Sequence, residues 1–329
     1  MPTILYYIIS LLSVFALTAI STRYLIPKLK SLKMGQKILD IGPRWHKSKE
    51  NTPTMGGITF IFSVTLVCAV LGIIAYKETT LSSILFMLFT LLYAIANGVT
   101  GIIDDMVKFK KKQNEGLTKT QKLVLQIVFS GAYLALLRIY ELIETSFYLP
   151  FFNVYIELGF AYYFFAMVLC VGMINFANFT DGIDGLLSSV TMIIGAFFAY
   201  AAFRYDLIPS VILSGAMSGV TLGFLVYNFY PAKIFMGDTG SLFLGGLAVG
   251  SAFMINNPLI ILLVGIIYLA EGVSVALQIC SFKLTRKRIF KMAPIHHHFE
   301  KCGWSEIKIV SVFSLITLLS CILACFGLD

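Results

Sequence analysis

The chain has 329 residues, of which 58% are hydrophobic and only 13% are charged, with a net charge of +8. A soluble domain is usually about 25% charged, so this composition excludes an ordinary water-soluble protein and indicates one integral membrane domain over residues 1–329. Strands that alternate polar and apolar residues are absent, which argues against a transmembrane barrel.

Runs of about 20 apolar residues predict transmembrane helices. The first run has no preceding Lys or Arg and continues to about Leu25, so we do not expect it to be a cleavable signal. We therefore predict an all-α, polytopic membrane protein. Its ten predicted spans are 4–26, 56–76, 82–103, 121–140, 158–176, 186–203, 208–229, 239–255, 258–282 and 307–327.

Basic residues are concentrated in one set of loops. Of the 25 Lys and Arg residues, only Lys77, Arg138 and Arg204 fall on the other side. The positive-inside rule makes the rich side cytoplasmic, and ten spans then place both termini outside. Two interpretations of the net positive charge stay open. It reflects the positive-inside bias and attraction to anionic lipid, or these loops in addition hold an anionic substrate. Nucleic acid is not an expected partner, since the charge is spread over loops rather than along one face.

Acidic residues interrupt the apolar runs on this same side. An Asp at the centre of a transmembrane helix costs about 2.5–3.5 kcal/mol, so such residues are functional candidates. Carboxylate oxygens suit Mg²⁺, which usually takes one or two carboxylates together with phosphate oxygens and water. The alternative is that each acid caps a helix or pairs with a lysine. The five residues are Asp104, Asp105, Asp181, Asp184 and Asp238.

Polar spacing supports a binding site at this face. Asn175 and Asn178 are three positions apart, as are Asp181 and Asp184, so each pair projects toward one broad side of a helical turn. The glycine-containing turn at 237–241 opens a span, and its amides suit a phosphate. The similar segment at 52–57 has a second interpretation, as a plain start of a helix.

Three consecutive histidines at 296–298 lie in a basic loop. Adjacent side chains diverge, so we expect hydrogen bonds to phosphate or sugar rather than chelation of one ion. Glu271, Ser274 and Gln278 share one face of the ninth span, either as a buried polar cluster or as ligand contacts. The six cysteines are interpreted as small apolar packing residues.

The chain resembles the polyprenyl-phosphate N-acetylhexosamine-1-phosphate transferase superfamily over essentially its whole length. The His triplet followed by Phe-Glu is similar to the branch that uses a muramoyl-pentapeptide nucleotide rather than a GlcNAc nucleotide. The markers are 52–57, Asp104-Asp105, 175–186, 235–241 and 293–300.

This resemblance implies a reaction in peptidoglycan synthesis. UDP-MurNAc-pentapeptide and undecaprenyl phosphate give lipid I, which is undecaprenyl-diphospho-MurNAc-pentapeptide, and UMP. The resemblance also implies Mg²⁺ as cofactor, the bacterial cytoplasmic membrane as location, and inhibition by nucleoside antibiotics such as tunicamycin. We further expect a homodimer.

The resemblance also implies roles for single residues. The expected catalytic residues are Asp104, Asp105, Asp238 and His297, with Asp238 as the metal ligand beside Asp104 and Asp105. The expected substrate-binding residues are Lys49, Thr54, Lys122, Asn175, Asn178, Asp181, Asp184, Asn228, Phe235, Gln278, His296 and His298.

Two alternatives remain. One is a related transferase that uses UDP-GlcNAc. The other is an ion-coupled transporter, which intramembrane acids also indicate. A transporter site usually lies near the bilayer midplane, often between inverted repeats. Here the acids lie at one face and no repeat is found, so we favour the transferase.

Overall fold

The computed structural model describes residues 1–32, 49, 51–111 and 116–328. Its helices are α1 (Thr3–Ser31), α2 (Ile58–Ala75), α3 (Leu81–Lys111), α4 (Lys119–Ile139), α5 (Ala161–Thr180), α6 (Leu186–Arg204), α7 (Ile208–Asn228), α8 (Gly237–Met254), α9 (Ile261–Val264), α10 (Ile266–Thr285), α11 (Ile295–Glu300) and α12 (Glu306–Cys325). Within the described residues, all but α8, α9 and α11 are long and apolar enough to cross a membrane. These nine helices support the prediction of a multi-pass membrane protein.

The predicted eighth span, 239–255, forms α8, which is not one of those nine helices. All its residues from Thr239 to Met254 are buried, and it packs against α3 and α5. A helix enclosed by other helices needs no lipid-facing surface, and small residues let its neighbours approach closely. Nine of the ten predicted spans are thus supported by the length and composition of their helices, and the membrane crossing by α8 stays a prediction.

Two further details differ from the sequence prediction. Strands β1 (Ser146–Leu149) and β2 (Val154–Glu157) form an antiparallel hairpin between α4 and α5, so the all-α prediction is wrong there. The predicted ninth span, 258–282, is also divided. It begins with a 3₁₀ turn (Pro258–Ile260) and α9, and α10 starts only after Gly265.

Helix ends from distant parts of the chain meet at the start of α8. Helix α3 continues past its predicted end at 103, so Asp104 and Asp105 lie within the helix. At Gly101 on α3, a Cβ would collide with the backbone of Asp238, and at Gly57 it would collide with the first turn of α8. These two glycines therefore allow α3 and the segment before α2 to close around the N-terminus of α8.

Candidate functional site

Three carboxylates converge where α3 meets the N-terminus of α8. Asp104, Asp105 and Asp238 each offer an oxygen, and the three oxygens lie within 4.8 Å of one another. Asp104 and Asp105 are buried, whereas the Asp238 side chain is 17% exposed. No other group of three such side chains suitable for a metal ion occurs among the residues that the structure describes. We call these three residues the acidic cluster.

Two lysines offset part of the negative charge of the acidic cluster. The Lys108 ammonium lies 2.7 Å from Asp104 Oδ2 and 3.0 Å from Asp238 Oδ2. The Lys122 ammonium lies 2.7 Å from the same oxygen of Asp238. Lys122 was among the predicted binding residues, but Lys108 was not. Its position four residues after Asp104 on one helix is the signal by which it could have been identified.

Asp105 holds the first turn of α8. Its Oδ2 accepts hydrogen bonds from the Thr239 amide at 3.0 Å and the Thr239 hydroxyl at 2.8 Å. Its Oδ1 accepts a longer bond from the Asp238 amide at 3.3 Å. A carboxylate at a helix N-terminus satisfies free amides and is favoured by the helix dipole. Asp105 therefore positions Asp238 in addition to contributing charge.

Asp104 organises the entrance to α4. Its Oδ1 accepts a hydrogen bond from the Leu117 amide at 2.8 Å. In the next residues, Thr118 and Gln121 form a reciprocal capping box that starts α4. Lys122 follows in the first turn of that helix. Asp104 thereby helps to place the lysine that reaches Asp238.

The two predicted asparagines of α5 have different partners. Asn178 Nδ2 donates to Asp238 Oδ1 at 2.9 Å and to Ser241 Oγ at 2.7 Å, so Asn178 joins the acidic cluster. Asn175 Nδ2 instead donates to Oε1 of Gln126 on α4 at 2.7 Å. Asn175 therefore joins two helices, and Gln126 is a partner that the sequence analysis missed.

Lys49 bonds with two carboxylates. Its ammonium lies 2.7 Å from Asp184 Oδ1 and 2.6 Å from Glu306 Oε2. Asp184 Oδ2 also accepts from the Ala232 amide at 2.8 Å. These contacts join the α5–α6 turn, the loop before α8 and the start of α12. Glu306 was not predicted, because it stands 257 positions from Lys49 and no local pattern pairs the two.

The loop before α8 is held by three further predicted residues. Asn228 Nδ2 donates at 3.0 Å to a carbonyl in this loop. Phe235 pairs with the segment before α2: its amide donates to Pro53 O at 2.8 Å, and its carbonyl accepts from the Gly56 amide at 2.9 Å. Thr54 lies against the first residue of α8. These contacts shape the rim of the acidic cluster.

The α5–α6 turn carries Asp181, which is half-buried. Desolvation, together with the negative charges of Asp238, Asp105 and Asp184, raises the pKa of the Asp181 carboxyl to about 8. In the absence of a neighbouring cation, this carboxyl is protonated at neutral pH and is able to donate a hydrogen bond.

His296 joins α11 to the α5–α6 turn. It is fully buried, and its Nδ1 lies 3.1 Å from Oε2 of Glu271 on α10. A Cβ at Gly182 would collide with the His296 ring, so only glycine leaves space for the imidazole. The predicted histidine loop and the turn that carries Asp181 are therefore in direct contact.

The other two histidines point elsewhere. His297 Nδ1 lies 2.6 Å from Glu300 Oε2 within α11. His298 Nδ1 accepts a hydrogen bond from the Lys291 amide at 3.1 Å. The three neighbouring imidazoles thus have three different sets of partners, as their divergence on a helix predicts.

Gln278 orders the basic loop after α10. Its Oε1 accepts from the amides of Ile289 and Phe290, at 3.1 and 3.0 Å, and its Nε2 donates to Phe290 O at 3.2 Å. The side chain amide is therefore engaged with the backbone of the loop. A role in contacting substrate remains a prediction.

Comparison with known proteins gives a consistent result. The model of glycosyl transferase family 4 matches residues 87–256, and phospho-N-acetylmuramoyl-pentapeptide-transferase signature 1 matches residues 49–61. A protein named phospho-N-acetylmuramoyl-pentapeptide-transferase from Clostridium botulinum (strain Alaska E43 / Type E3) is 46% identical over 99% of this chain and 97% of its own length. Proteins of the same name from Caldicellulosiruptor bescii and Staphylococcus epidermidis are 44% and 42% identical. The matches cover 98% and 96% of this chain, and 96% of each relative.

Proposed function

Because the chain belongs to the phospho-N-acetylmuramoyl-pentapeptide-transferase family, we propose that it transfers phospho-MurNAc-pentapeptide from UDP-MurNAc-pentapeptide to undecaprenyl phosphate. The products are lipid I and UMP. The observation that carries this proposal is the acidic cluster, which two lysines contact at the N-terminus of α8.

Phosphoryl transfer depends mainly on positioning and on neutralising charge. The ammonium groups of Lys108 and Lys122 meet at one oxygen of Asp238 and supply two positive charges. Asn178 fixes the other oxygen of Asp238. Donors that are held in place before the reaction stabilise developing charge without reorganisation. This arrangement suits a reaction in which the sugar phosphate leaves UMP and is joined to the phosphate of the lipid.

The acidic cluster has the right chemistry for Mg²⁺, because three hard carboxylate oxygens lie within 4.8 Å of one another. Asp238 is the most accessible of the three carboxylates, so it would be the principal ligand, with Asp104 and Asp105 in support. When bound, the ion would neutralise the diphosphate and stabilise the leaving UMP. Lys108 and Lys122 would then hold the remaining phosphate charge.

The surrounding residues divide between the two parts of the donor. Asn178, Asp181, Phe235 and Gln278 would contact the uridine portion, which nucleoside antibiotics would compete for. The α11 segment with its three histidines would bind the muramoyl portion. Its contact with the α5–α6 turn supports this assignment, because that turn carries Asp181. The basic loops would face the cytoplasm of a bacterium, and two copies of the chain would form a dimer.

The test is a product assay with the purified full-length protein, Mg²⁺ and undecaprenyl phosphate. UDP-MurNAc-pentapeptide and UDP-GlcNAc are supplied in separate reactions, and UMP and the lipid product are measured. We expect equal amounts of UMP and lipid I from the muramoyl donor and little product from UDP-GlcNAc. Equal use of both donors would leave only the superfamily assignment standing.

A further inference from the structure

The two oxygens of Asp238 are held by side chains from two different helices. Lys122 of α4 lies 2.7 Å from Oδ2, and Asn178 of α5 donates to Oδ1 at 2.9 Å. The orientation of this carboxylate therefore depends on how α4 and α5 are placed relative to each other. Because hydrogen bonds weaken steeply as their geometry departs from the ideal, a shift of either helix would release one of the two oxygens.

Two amide side chains join α4 to α5 one helical turn away from these contacts. Asn175 Nδ2 donates to Gln126 Oε1 at 2.7 Å, and Gln126 Nε2 donates to Asn175 Oδ1 at 3.4 Å. Gln126 lies four residues after Lys122 on α4, and is therefore its neighbour on the helix surface. Asn175 lies three residues before Asn178 on α5. We call Gln126 and Asn175 the amide pair.

The hydrogen bonds of the amide pair are made within the protein. Gln126 is fully buried, and a buried amide without a partner would cost free energy. Asn175 Nδ2 also donates to the Val171 carbonyl at 2.8 Å, so both its protons have acceptors. Between helices in a bilayer, such polar contacts add to van der Waals packing, because lipid provides no hydrophobic drive for association. The amide pair therefore fixes one helix against the other.

Other contacts of α4 are made with α3 instead. The Ser130 hydroxyl lies 2.9 Å from the Tyr93 hydroxyl of α3. At the entrance to α4, the Leu117 amide donates to Asp104 of α3. Neither contact involves Gln126, and neither sets the separation of α4 from α5. Removing the amide of Gln126 should therefore change that separation while α4 stays attached to the rest of the protein.

We propose that Gln126 is a positioning residue for the transfer reaction. Through Asn175 it fixes the separation of α4 and α5 close to the acidic cluster, so that the two helices hold opposite oxygens of Asp238. Groups that are held in place before the reaction stabilise charge without reorganisation, and a small displacement of such groups lowers the rate steeply. The expected effect on rate rests on the proposed transferase function, whereas the effect on the geometry around Asp238 does not.

The experiment measures kcat/KM for UDP-MurNAc-pentapeptide with the purified full-length protein. The test variant is Gln126→Leu, which keeps a side chain of similar size but removes its amide. The matched control is Ser130→Ala, which removes another buried hydrogen bond of α4, to α3 rather than to α5. Thermal unfolding in detergent shows that each variant is folded. We expect Gln126→Leu to lose about tenfold or more in kcat/KM, and Ser130→Ala to lose much less.

A double-mutant cycle with Asn178→Ala separates positioning from a general loss of stability. In the Asn178→Ala background one of the two contacts to Asp238 is already absent, so Gln126→Leu should cost less than it does in the wild-type protein. Ser130→Ala should have the same effect in both backgrounds to within about twofold. Independent, additive effects of Gln126→Leu and Asn178→Ala would contradict the proposal.

A crystal structure of the Gln126→Leu variant is the second measurement, and it requires no activity. We expect at least one of the two contacts to Asp238, from Lys122 or from Asn178, to lengthen beyond a hydrogen bond. Both contacts at their wild-type lengths would overturn the proposal, whatever the protein does in the product assay. An active wild-type protein with unchanged kcat/KM in Gln126→Leu would also overturn it, and would leave the proposed transferase function standing.

Discussion

Asp105 and Thr239 stand 134 positions apart in the chain, and Thr239 donates both its amide and its hydroxyl to Asp105 Oδ2, at 3.0 and 2.8 Å. This contact fixes the first turn of α8 against α3. The same turn carries Asp238, the most accessible carboxylate of the acidic cluster. The geometry of the site therefore depends on a helix cap.

The first prediction concerns this cap. Asp105→Asn replaces one acceptor oxygen by an amide that cannot accept, so it should lower the free energy of unfolding by about 1–3 kcal/mol. Thermal unfolding in detergent measures the effect. The matched control is Asp206→Asn, because Asp206 also accepts a threonine hydroxyl, from Thr3, but is exposed. Equal losses in the two variants would show that the cap at α8 has no special importance.

The second prediction concerns Asp104, which is either a base for the lipid phosphate or a positioning group. Both its oxygens already face donors, the Leu117 amide and the Lys108 ammonium. The second pKa of a phosphate monoester is near 6, so most of the acceptor is a dianion at neutral pH and needs no base. We expect the Asp104→Asn variant to show a deficit that stays constant with pH.

Single-turnover rates of Asp104→Asn between about pH 6 and pH 9 test this expectation. The wild-type protein over the same range is the control for effects on the substrate. Recovery of the variant to nearly wild-type rate at the high end, where the phosphate is fully ionised, would identify Asp104 as a base and contradict the positioning role.

The third prediction concerns orientation. The basic loops should face the cytoplasm, so the exposed thiol of Cys302, next to α11, should not react with a membrane-impermeant maleimide added to intact cells. Phe152, between β1 and β2, is 74% exposed. It precedes the N-terminus of α5, whereas the α5–α6 turn follows the C-terminus of that helix. In a Cys302→Ser background, Phe152→Cys should react from outside. The reverse labelling pattern would invert the topology.

The fourth prediction concerns His297. Its ring pairs with Glu300 and, unlike that of His296, is partly exposed. If it acts on the substrate, His297→Ala should reduce transfer from the muramoyl donor by about 10²-fold or more, the usual contribution of a positioned acid or base. His298→Ala, which removes the acceptor for the Lys291 amide, is the comparison and should have a smaller effect. A His297 variant with the same activity as the His298 variant would leave the first without a specific role.

Sequence alone predicted most of what depends on local chemistry. Apolar runs predicted the helices that face lipid, but not the degree to which α8 is enclosed, because its glycines signal packing only when the neighbours are known. The acids of the cluster were recognisable because placing a carboxylate in an apolar, membrane-spanning segment costs free energy. What could not be predicted was pairing across the chain. Glu306 reaches Lys49 from 257 positions away.

The two asparagines of α5 illustrate the same limit. Spacing of three residues predicted that Asn175 and Asn178 share a side of the helix. The rotation between them is nevertheless enough for Asn178 to meet Asp238 while Asn175 meets Gln126. Periodicity gives the direction of a side chain relative to its own helix. Its hydrogen-bond partner depends on which neighbouring helix packs against that side.

The fifth prediction tests the central claim, that the acidic cluster carries out Mg²⁺-dependent transfer. The measurement is the rate of UMP release by purified protein as a function of Mg²⁺ concentration, for wild type, Asp238→Asn and Asp184→Asn. Asp184 is the control, because it is a carboxylate of the same face that pairs with Lys49 rather than with the cluster. We predict that Asp238→Asn, while folded, loses at least about 10²-fold in rate and needs more Mg²⁺, and that Asp184→Asn keeps the wild-type Mg²⁺ dependence. An Asp238→Asn variant with wild-type rate and wild-type Mg²⁺ dependence would contradict the account.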